Sequence, residues 1–212
     1  MPLTNRDIIN ILRRISTRLI ERADYLSELD AVTGDGEHGI NMEKGFSEVL
    51  KALPSWEAAS IGEILKQTGK LVMTKTGGSA GILYGTLFLE MSKAVGEAAE
   101  VDAALAAEMF ARALAGVTKR GGAEVGDKTL VDSLAPGAAA LAQAAQGGAE
   151  VGPAFRAAAE AAKRGMESTL ELTAKKGRAS YQGENSRGSL DPGAVSMYYL
   201  FEQFDAAVSE RF

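Results

Sequence analysis

Apolar residues recur along this chain at the spacing of an α-helix, and almost no segment shows the alternation of a β-strand. The first run places four apolar residues at i, i+4, i+7 and i+11: Ile8, Leu12, Ile15 and Leu19. These positions share one helical face. Thr4 or Asn5 is a suitable N-cap, and we expect the helix to run to about Leu29.

Glycine, proline and capping residues divide the rest of the chain into further helices with short connections. The expected segments are about 41–53, 60–74, 80–95, 103–119, 128–146, 154–172 and 192–209. Predicted caps include Asp102, Asp127 and Asp191, the last followed by a proline that opens its helix. A polar segment, 173–190, has no periodicity. About eight helices without a dividing linker predict an all-α bundle or barrel, a single domain over residues 1–212.

The composition is that of a folded protein and excludes several classes of site. Apolar residues make up 46% of the chain and charged residues 24%, with a net charge of −5. No block of Lys or Arg stands out, so direct nucleic-acid binding is not expected. The absence of cysteine excludes disulfides, thiolate metal ligands and a cysteine nucleophile, and it fits a cytoplasmic protein. Residues 1–22 do not resemble a signal peptide, and the longest apolar run, 82–91, is too short to span a bilayer, so no membrane association is expected.

An acidic, glycine-rich loop follows the first predicted helix and is the strongest candidate for chemistry. The carboxylates of Asp30, Asp35 and Glu37 fall within eight residues, among glycines that allow sharp turns. Packing these charges together is unfavourable without a cation, and Mg²⁺ accepts carboxylate oxygens while keeping positions for water or phosphate. From the spacing alone, a magnesium site and an exposed acidic turn that caps the next helix are both open. The spacing does not fit an EF-hand.

His38, the only histidine, comes directly after this loop. It is either a structural residue or a hydrogen-bond donor to a phosphate oxygen. It is a poor candidate for a zinc ligand, because the chain offers no second nitrogen or sulfur ligand.

Three further loops have compositions suited to an anion. Residues 76–81 place glycines at the entry of an apolar helix, whose free N–H groups can bind an anion, although the Walker A ending is missing. Segments 120–129 and 175–181 carry Lys and Arg beside glycine, and arginine commonly neutralises a transferring phosphoryl group. Each loop taken singly is also explained by helix packing or by solvated surface. Because the loops at one end of a bundle converge, the loops together favour a phosphate-binding site.

Five motifs are spread in order over nearly the whole chain: Gly34-Asp-Gly-Glu-His-Gly-Ile-Asn-Met42, Gly77-Gly-Ser-Ala-Gly81 with Tyr84-Gly85-Thr86, Gly126-Asp-Lys-Thr129, Gly177-Arg-Ala-Ser-Tyr181 and Asp191-Pro-Gly193. Together they resemble the DhaL family, the nucleotide-binding subunits of bacterial dihydroxyacetone kinases, and the equivalent C-terminal domain of single-chain kinases. The length of 212 residues is similar to that of the stand-alone subunits and leaves no room for a substrate-binding domain.

The resemblance implies an eight-helix antiparallel barrel with a nucleotide and magnesium ions, of which two are expected, at one end. The metal ligands of the family match Asp30, Asp35 and Glu37, although the family usually has the shorter aspartate where this chain has Glu37. Its nucleotide contacts match His38, Gly39, Ile40, Asn41, Ser79, Ala80, Gly121, Leu130, Arg178, Asp191, Pro192 and Gly193. We take His38 and Arg178 as the candidate catalytic residues.

The implied function is transfer of a phosphoryl group to dihydroxyacetone, which in this family is held by a histidine of a partner subunit. In one form ADP stays bound as a cofactor and is rephosphorylated by a phosphohistidine protein of the phosphotransferase system, and separate subunits favour this form. In the other, ATP exchanges as the substrate of a ketose kinase. A third hypothesis is a nucleotide-sensing regulatory module, since the family subunit can also contact a transcriptional regulator. The related domain of fatty-acid kinases is disfavoured because those chains are much longer.

Overall fold

The computed structural model describes residues 1–210, and this range is helical with no β-strand, so the all-α prediction is confirmed. The α-helices are α1 (Asn5–Glu21), α2 (Ala23–Thr33), α3 (His38–Ala52), α4 (Ile61–Lys75), α5 (Gly78–Val95), α6 (Ala103–Gly121), α7 (Val131–Gln146), α8 (Val151–Ser168) and α9 (Pro192–Ser209). Short 3-10 helices cover Leu53–Trp56, Thr169–Glu171 and Arg178–Ser186. None of the helices in residues 1–210 has both the length and the apolar character needed to cross a membrane.

The first predicted helix is in fact two helices, α1 and α2. The break lies at Arg22, where φ is −106° and ψ is 10°. Apolar positions continue at helical spacing across the break, through the buried residues Leu19, Ala23 and Leu26. The prediction of one helix to Leu29 is wrong because the pattern continues through the kink without a change of period.

Two of the three predicted aspartate caps are confirmed. The Asp102 side chain accepts a hydrogen bond from Leu105 N at 2.8 Å, which satisfies a free N–H in the first turn of α6. Asp191 does the same for α9, accepting from Ala194 N at 2.7 Å. Proline follows Asp191 at the first helical position of α9, as expected.

The third predicted cap, Asp127, is wrong, because α7 begins only at Val131. Lys128 has a φ of 60°, in the left-handed region, so an α-helix cannot run through it. Asp127 instead accepts a hydrogen bond from Glu124 N at 2.9 Å and closes a turn within the α6–α7 loop.

Helix contacts close into a ring within residues 1–210. Helices α3 to α8 each pack against the next one along the chain, α9 packs against α1, and α1 packs against α3. The short helix α2 packs mainly against α3 and also contacts α9. One continuous hydrophobic core fills the ring. It includes four buried phenylalanines whose neighbouring ring centroids are 4.7 to 5.9 Å apart: Phe110, Phe155, Phe201 and Phe204.

The connections α2–α3, α4–α5, α6–α7 and α8–α9 meet at one end of the bundle, where all four contribute residues to one cavity. These are the loops whose compositions suggested chemistry. Their convergence, expected from the sequence, is therefore confirmed.

Candidate functional site

The cavity at this end of the bundle has a volume of about 690 Å³. All of the predicted site residues line it except Gly39 and Ile40. Gly39 is buried where α2 crosses α3, and a Cβ at this position would overlap the carbonyl oxygen of Ala23. Ile40 has 46% of its surface exposed, away from the cavity. The structure therefore gives Gly39 a packing role and leaves its predicted nucleotide contact, with that of Ile40, as a prediction.

Asp30 and Asp35 form a carboxylate pair at the cavity wall. Asp30, near the end of α2, accepts a hydrogen bond from His38 N at 3.1 Å, and its carboxyl group is hydrogen bonded to that of Asp35. A Cβ at Gly34 would overlap Asp30 Oδ1, so a larger residue there would displace the Asp30 carboxyl group. Burial, together with the hydrogen bond and charge of Asp35, raises the pKa of Asp30, although the His38 N–H opposes this.

Such a pair fits a divalent cation. Two interacting carboxyl groups repel each other when both are ionised, and a cation relieves that repulsion while binding their oxygen atoms. Glu37 does not join the pair through its side chain. Among residues 1–210, no three His, Asp or Glu side chains are grouped closely enough to hold a metal ion. The structure thus brings together two of the three predicted metal ligands, and the role of Glu37 stays a prediction.

Arg178 places a positive charge beside the carboxylate pair. Its Nη2 lies 2.9 Å from Asp35 Oδ2, while 72% of its side chain is exposed. An ion pair this exposed adds little to stability. The ion pair instead positions the Arg178 guanidinium group at the mouth of the cavity, where an anionic ligand would contact it.

His38 lies at the start of α3 and lines the cavity. Its Nε2 is 2.9 Å from Ser196 Oγ, on α9. Burial lowers the pKa of His38 to about 4. The imidazole is therefore neutral near pH 7, which makes it a hydrogen-bond donor or acceptor and not a cationic group.

Two helix N-termini also face the cavity. No side chain caps α5, whose first-turn residues Ser79 and Ala80 line the cavity. Pro192 and Gly193 bring the start of α9 to the same space. Unpaired N–H groups at the start of α5 and the positive ends of both helix dipoles favour an anion such as phosphate at these positions. The start of α9 has fewer free N–H groups, because Pro192 has none and Asp191 accepts that of Ala194.

One wall of the cavity is apolar, and the sequence analysis did not identify it as part of the site. It consists of Ile82 and Leu83 from α5, Val117 from α6, Ala123 from the α6–α7 loop and Val131 from α7. Helical periodicity shows that a residue faces inward, but it does not distinguish a packed core from a cavity wall. Together with the polar groups above, this wall makes the space suited to a ligand with both an apolar ring and a charged end.

Lys128 is a second feature that the sequence analysis did not place in the site. It is 2% exposed, and its Nζ donates hydrogen bonds of 2.6 Å to the carbonyl oxygens of Thr169 and Ser189. Burial lowers the pKa of Lys128, while the charges of Asp191 and Asp132 act against it. Lys128 therefore links the α6–α7 loop to the end of α8 and to the segment that leads into α9.

Replacement of Lys128 by methionine is expected to lower the free energy of unfolding by about 2 kcal/mol, because two buried carbonyl groups lose their donor. Urea denaturation followed by circular dichroism measures this change. Lys176→Met is the matched control, since Lys176 also lines the cavity but is exposed. Equal, small losses in the two variants would contradict the assigned role of Lys128.

Asp191 combines a capping role with an unusual acidity. Its carboxylate accepts the Ala194 N–H, yet burial raises its pKa to about 7, with Asp132 adding to the effect and Lys128 opposing it. The folded protein thus keeps a proton here between about pH 4 and pH 7, where the unfolded chain has lost it. Stability contributed by this group is present below pH 4 and is lost as the pH rises to 7.

Asp191→Asn is therefore expected to raise the free energy of unfolding by about 2 kcal/mol at pH 8 and by a smaller amount at pH 5, where only the first part of the loss has occurred. Asparagine keeps the cap but carries no charge. Urea denaturation at both pH values, without divalent cations, measures the difference. Asp102→Asn, an exposed cap at the start of α6, serves as the control and is expected to show the same change at both pH values. An effect of Asp191→Asn that does not depend on pH would contradict the prediction.

Comparisons of the sequence with protein families and with known proteins agree on one family. A model of the DAK2 domain matches residues 32–206. The ADP-binding subunit DhaL of PEP-dependent dihydroxyacetone kinase from Escherichia coli (strain K12) is 37% identical over 210 residues, which cover 99% of this chain and 100% of that subunit. The ADP-binding subunit DhaL of PTS-dependent dihydroxyacetone kinase from Lactococcus lactis is 38% identical over 200 residues, 94% of this chain and 96% of that one.

A solved structure shares the fold. The crystal structure of the dihydroxyacetone kinase from C. freundii in complex with AMP-PNP and Mg²⁺ superposes with a TM-score of 0.74 and 24% identity. The match covers 97% of this chain and 34% of that one. At this identity the likeness establishes the helical architecture alone.

Proposed function

The chain belongs to the DAK2 domain family, and from this premise we propose that it is the nucleotide-binding subunit of a dihydroxyacetone kinase, a phosphotransferase. The observation that carries the proposal is the cavity, around which residues from all five sequence motifs meet. Support also comes from the relative from Escherichia coli, which is named an ADP-binding subunit and is matched over 100% of its length.

The architecture we propose is a single-domain antiparallel barrel of eight helices over residues 1–212. The closed ring of contacts through α1 and α3 to α9 supports it, with α2 as an additional helix that carries Asp30 to the site. The nucleotide site then lies at the end where the loops converge.

The bound cofactor is proposed to be ADP or ATP with Mg²⁺, two ions being expected. Asp30 and Asp35 would hold the metal, with Glu37 as a further ligand if its longer side chain turns toward the pair. Magnesium, when bound, neutralises phosphate charge and orients the phosphate oxygens. The apolar wall suits the base of a nucleotide, and the N-termini of α5 and α9 suit its phosphates.

The chain's own groups would act on the transferring phosphoryl group through charge and hydrogen bonds. Arg178, at the mouth, can move from Asp35 to a phosphate oxygen, and His38 can donate a hydrogen bond to another. Neither group has to act as a base toward the acceptor hydroxyl. The acceptor, dihydroxyacetone, is proposed to be held on a partner subunit that docks at the mouth of the cavity.

We propose ADP as a tightly bound cofactor that a phosphohistidine protein of the phosphotransferase system rephosphorylates. Support comes from the relative from Lactococcus lactis, which is named PTS-dependent and matches 94% of this chain. The alternative is ATP exchange, as in an ATP-dependent ketose kinase.

Native mass spectrometry of the purified protein tests the site, because ADP and magnesium are expected to co-purify. A protein that neither carries nor binds a nucleotide would overturn the proposed function. A second experiment combines the chain with a dihydroxyacetone-binding subunit and ATP, without phosphotransferase proteins. One turnover per bound nucleotide agrees with the cofactor form, whereas multiple turnovers would favour ATP exchange.

Contact with a transcriptional regulator, a purely nucleotide-sensing role and a cytoplasmic location stay predictions from the sequence. A pull-down with nucleotide-loaded and nucleotide-free protein would test the regulatory contact.

A further inference from the structure

A chain of buried hydroxyl groups lies behind His38. His38 Nε2 is 2.9 Å from Ser196 Oγ, and Ser196 Oγ is 2.7 Å from the hydroxyl of Tyr84. Both Ser196 and Tyr84 are completely buried, on α9 and α5 respectively. The three side chains therefore connect the first two turns of α3, α5 and α9, three of the helices whose N-terminal residues line the cavity.

The neighbouring acceptors favour one order of donation, in which Tyr84 donates to Ser196 and Ser196 donates to His38. The other acceptors near the hydroxyls are the carbonyl oxygens of Pro192 and Gly193, at 3.0 to 3.2 Å. Both belong to α9, where backbone N–H groups also donate to them. The hydroxyl of Tyr84 is closer to Ser196 Oγ, at 2.7 Å, than to the Gly193 oxygen, at 3.2 Å, which favours donation from Tyr84 to Ser196. The Ser196 proton then has three acceptors within reach, and of these His38 Nε2, at 2.9 Å, is closer than Pro192 O and Gly193 O, at 3.0 and 3.1 Å.

This direction determines which ring nitrogen of His38 carries the proton. A neutral imidazole has one donor and one acceptor nitrogen. If Nε2 accepts from Ser196, the proton is on Nδ1, for which residues 1–210 provide no hydrogen-bond partner. Nδ1–H is then available as a donor to an anion in the cavity.

We propose that Ser196 and Tyr84 are positioning residues, which hold the His38 ring and its Nδ1–H tautomer so that His38 donates to the phosphate of the bound nucleotide. The tautomer concerns the protein alone, whereas the phosphate contact rests on the proposed function. Ser196 does not line the cavity, and Tyr84 lines it, but the Tyr84 hydroxyl contacts Ser196 and the Gly193 oxygen. Their effect is exerted through the histidine, as a second layer of hydrogen bonds around the site.

The chain offers a close control for Ser196. Ser16, on α1, is also completely buried, and its hydroxyl donates to the carbonyl four residues earlier, Leu12 O, at 2.8 Å. Ser196 Oγ also lies near the carbonyl oxygen four residues earlier, 3.0 Å from Pro192 O, but in the proposed arrangement its proton goes to His38. Replacement of either serine by alanine removes a similar buried group, but only Ser196 contacts His38.

Nitrogen-15 NMR gives a direct readout, because His38 is the only histidine and its ring signals need no assignment. In the wild type, Nε2 is expected at the chemical shift of an unprotonated nitrogen and Nδ1 at that of a protonated one. Ser196→Ala is expected to shift both signals toward a mixture of tautomers. It should also weaken the binding of ADP with Mg²⁺, measured by calorimetry, by about tenfold or more. Ser16→Ala should change neither.

Tyr84→Phe provides a second variant in case Ser196→Ala does not fold. It keeps the ring packed in the core and removes only the outer hydroxyl, so we expect the same changes with a smaller size. A wild-type spectrum with the proton on Nε2 would overturn the proposal. The proposal would also be overturned if Ser196→Ala and Tyr84→Phe both had the same spectra and the same ADP affinity as the wild type. If the variants change the spectra as expected but the wild type binds no nucleotide, the proposed function fails and the tautomer assignment stands.

Discussion

Asp30→Asn is expected to reduce the magnesium-dependent affinity for ADP by at least about 100-fold, because one of the two paired carboxylates loses its charge. The same substitution is expected to stabilise the protein in the absence of divalent cations. The pKa of Asp30 is raised in the folded state, so its ionised form opposes folding at neutral pH. An amide removes that opposition, and its oxygen can still accept the hydrogen bond from His38 N.

Calorimetric titration with ADP, with and without Mg²⁺, measures the first effect, and urea denaturation in a chelating buffer measures the second. Asp24→Asn is the control, since Asp24 is an exposed aspartate on the same helix that does not line the cavity. The metal assignment would be refuted by an Asp30→Asn variant whose ADP affinity still rises with Mg²⁺ as in the wild type. Weaker binding of ADP with Mg²⁺ together with higher stability in the absence of divalent cations is the result expected of a carboxylate pair that binds a cation.

Gly39→Ala is expected to destabilise the protein by about 3 kcal/mol or more, because an added Cβ overlaps the carbonyl oxygen of Ala23. The clash is with backbone, so neither helix can relieve it by changing a rotamer. The separation of α2 and α3 must increase, and this also displaces the acidic loop between them. Denaturation in urea measures the loss of stability.

Gly147→Ala provides the control. Gly147 has a φ of −74°, which alanine adopts readily, and its added Cβ would meet its nearest atom at 3.4 Å. We expect the control to stay near the wild type. A Gly39→Ala variant of wild-type stability that no longer binds ADP would instead assign Gly39 to the nucleotide, as the family resemblance suggested.

Local signals predicted most of the helices, since helical period and capping depend on residues within one or two turns. Asp102 and Asp191 cap their helices as expected. The failures are also local in origin. The helix breaks at Arg22 although the apolar spacing continues across it. The start of α7 is later than predicted because Lys128 has a left-handed backbone conformation, which a residue other than glycine at that position does not indicate.

The acidic, glycine-rich and basic loops could be identified as candidate site segments because their compositions are unusual within a few residues. The pairing of Asp30 with Asp35 could be predicted in the same way, since both residues lie near one turn. The position of Glu37 relative to that pair could not be predicted. It depends on the direction of one side chain at the start of α3, which spacing does not specify.

By itself, the sequence determined the all-helical class, the order of the loops and the candidate carboxylates, because each of these follows from residues close together in the chain. Only the tertiary structure decided which side chains from separate helices meet. The apolar wall, the link from Lys128 to α8 and the hydroxyl chain from Tyr84 through Ser196 to His38 all join distant segments. Such contacts depend on how each helix is rotated and packed against its neighbours, and the period of a single helix carries no information about that rotation beyond which face is apolar.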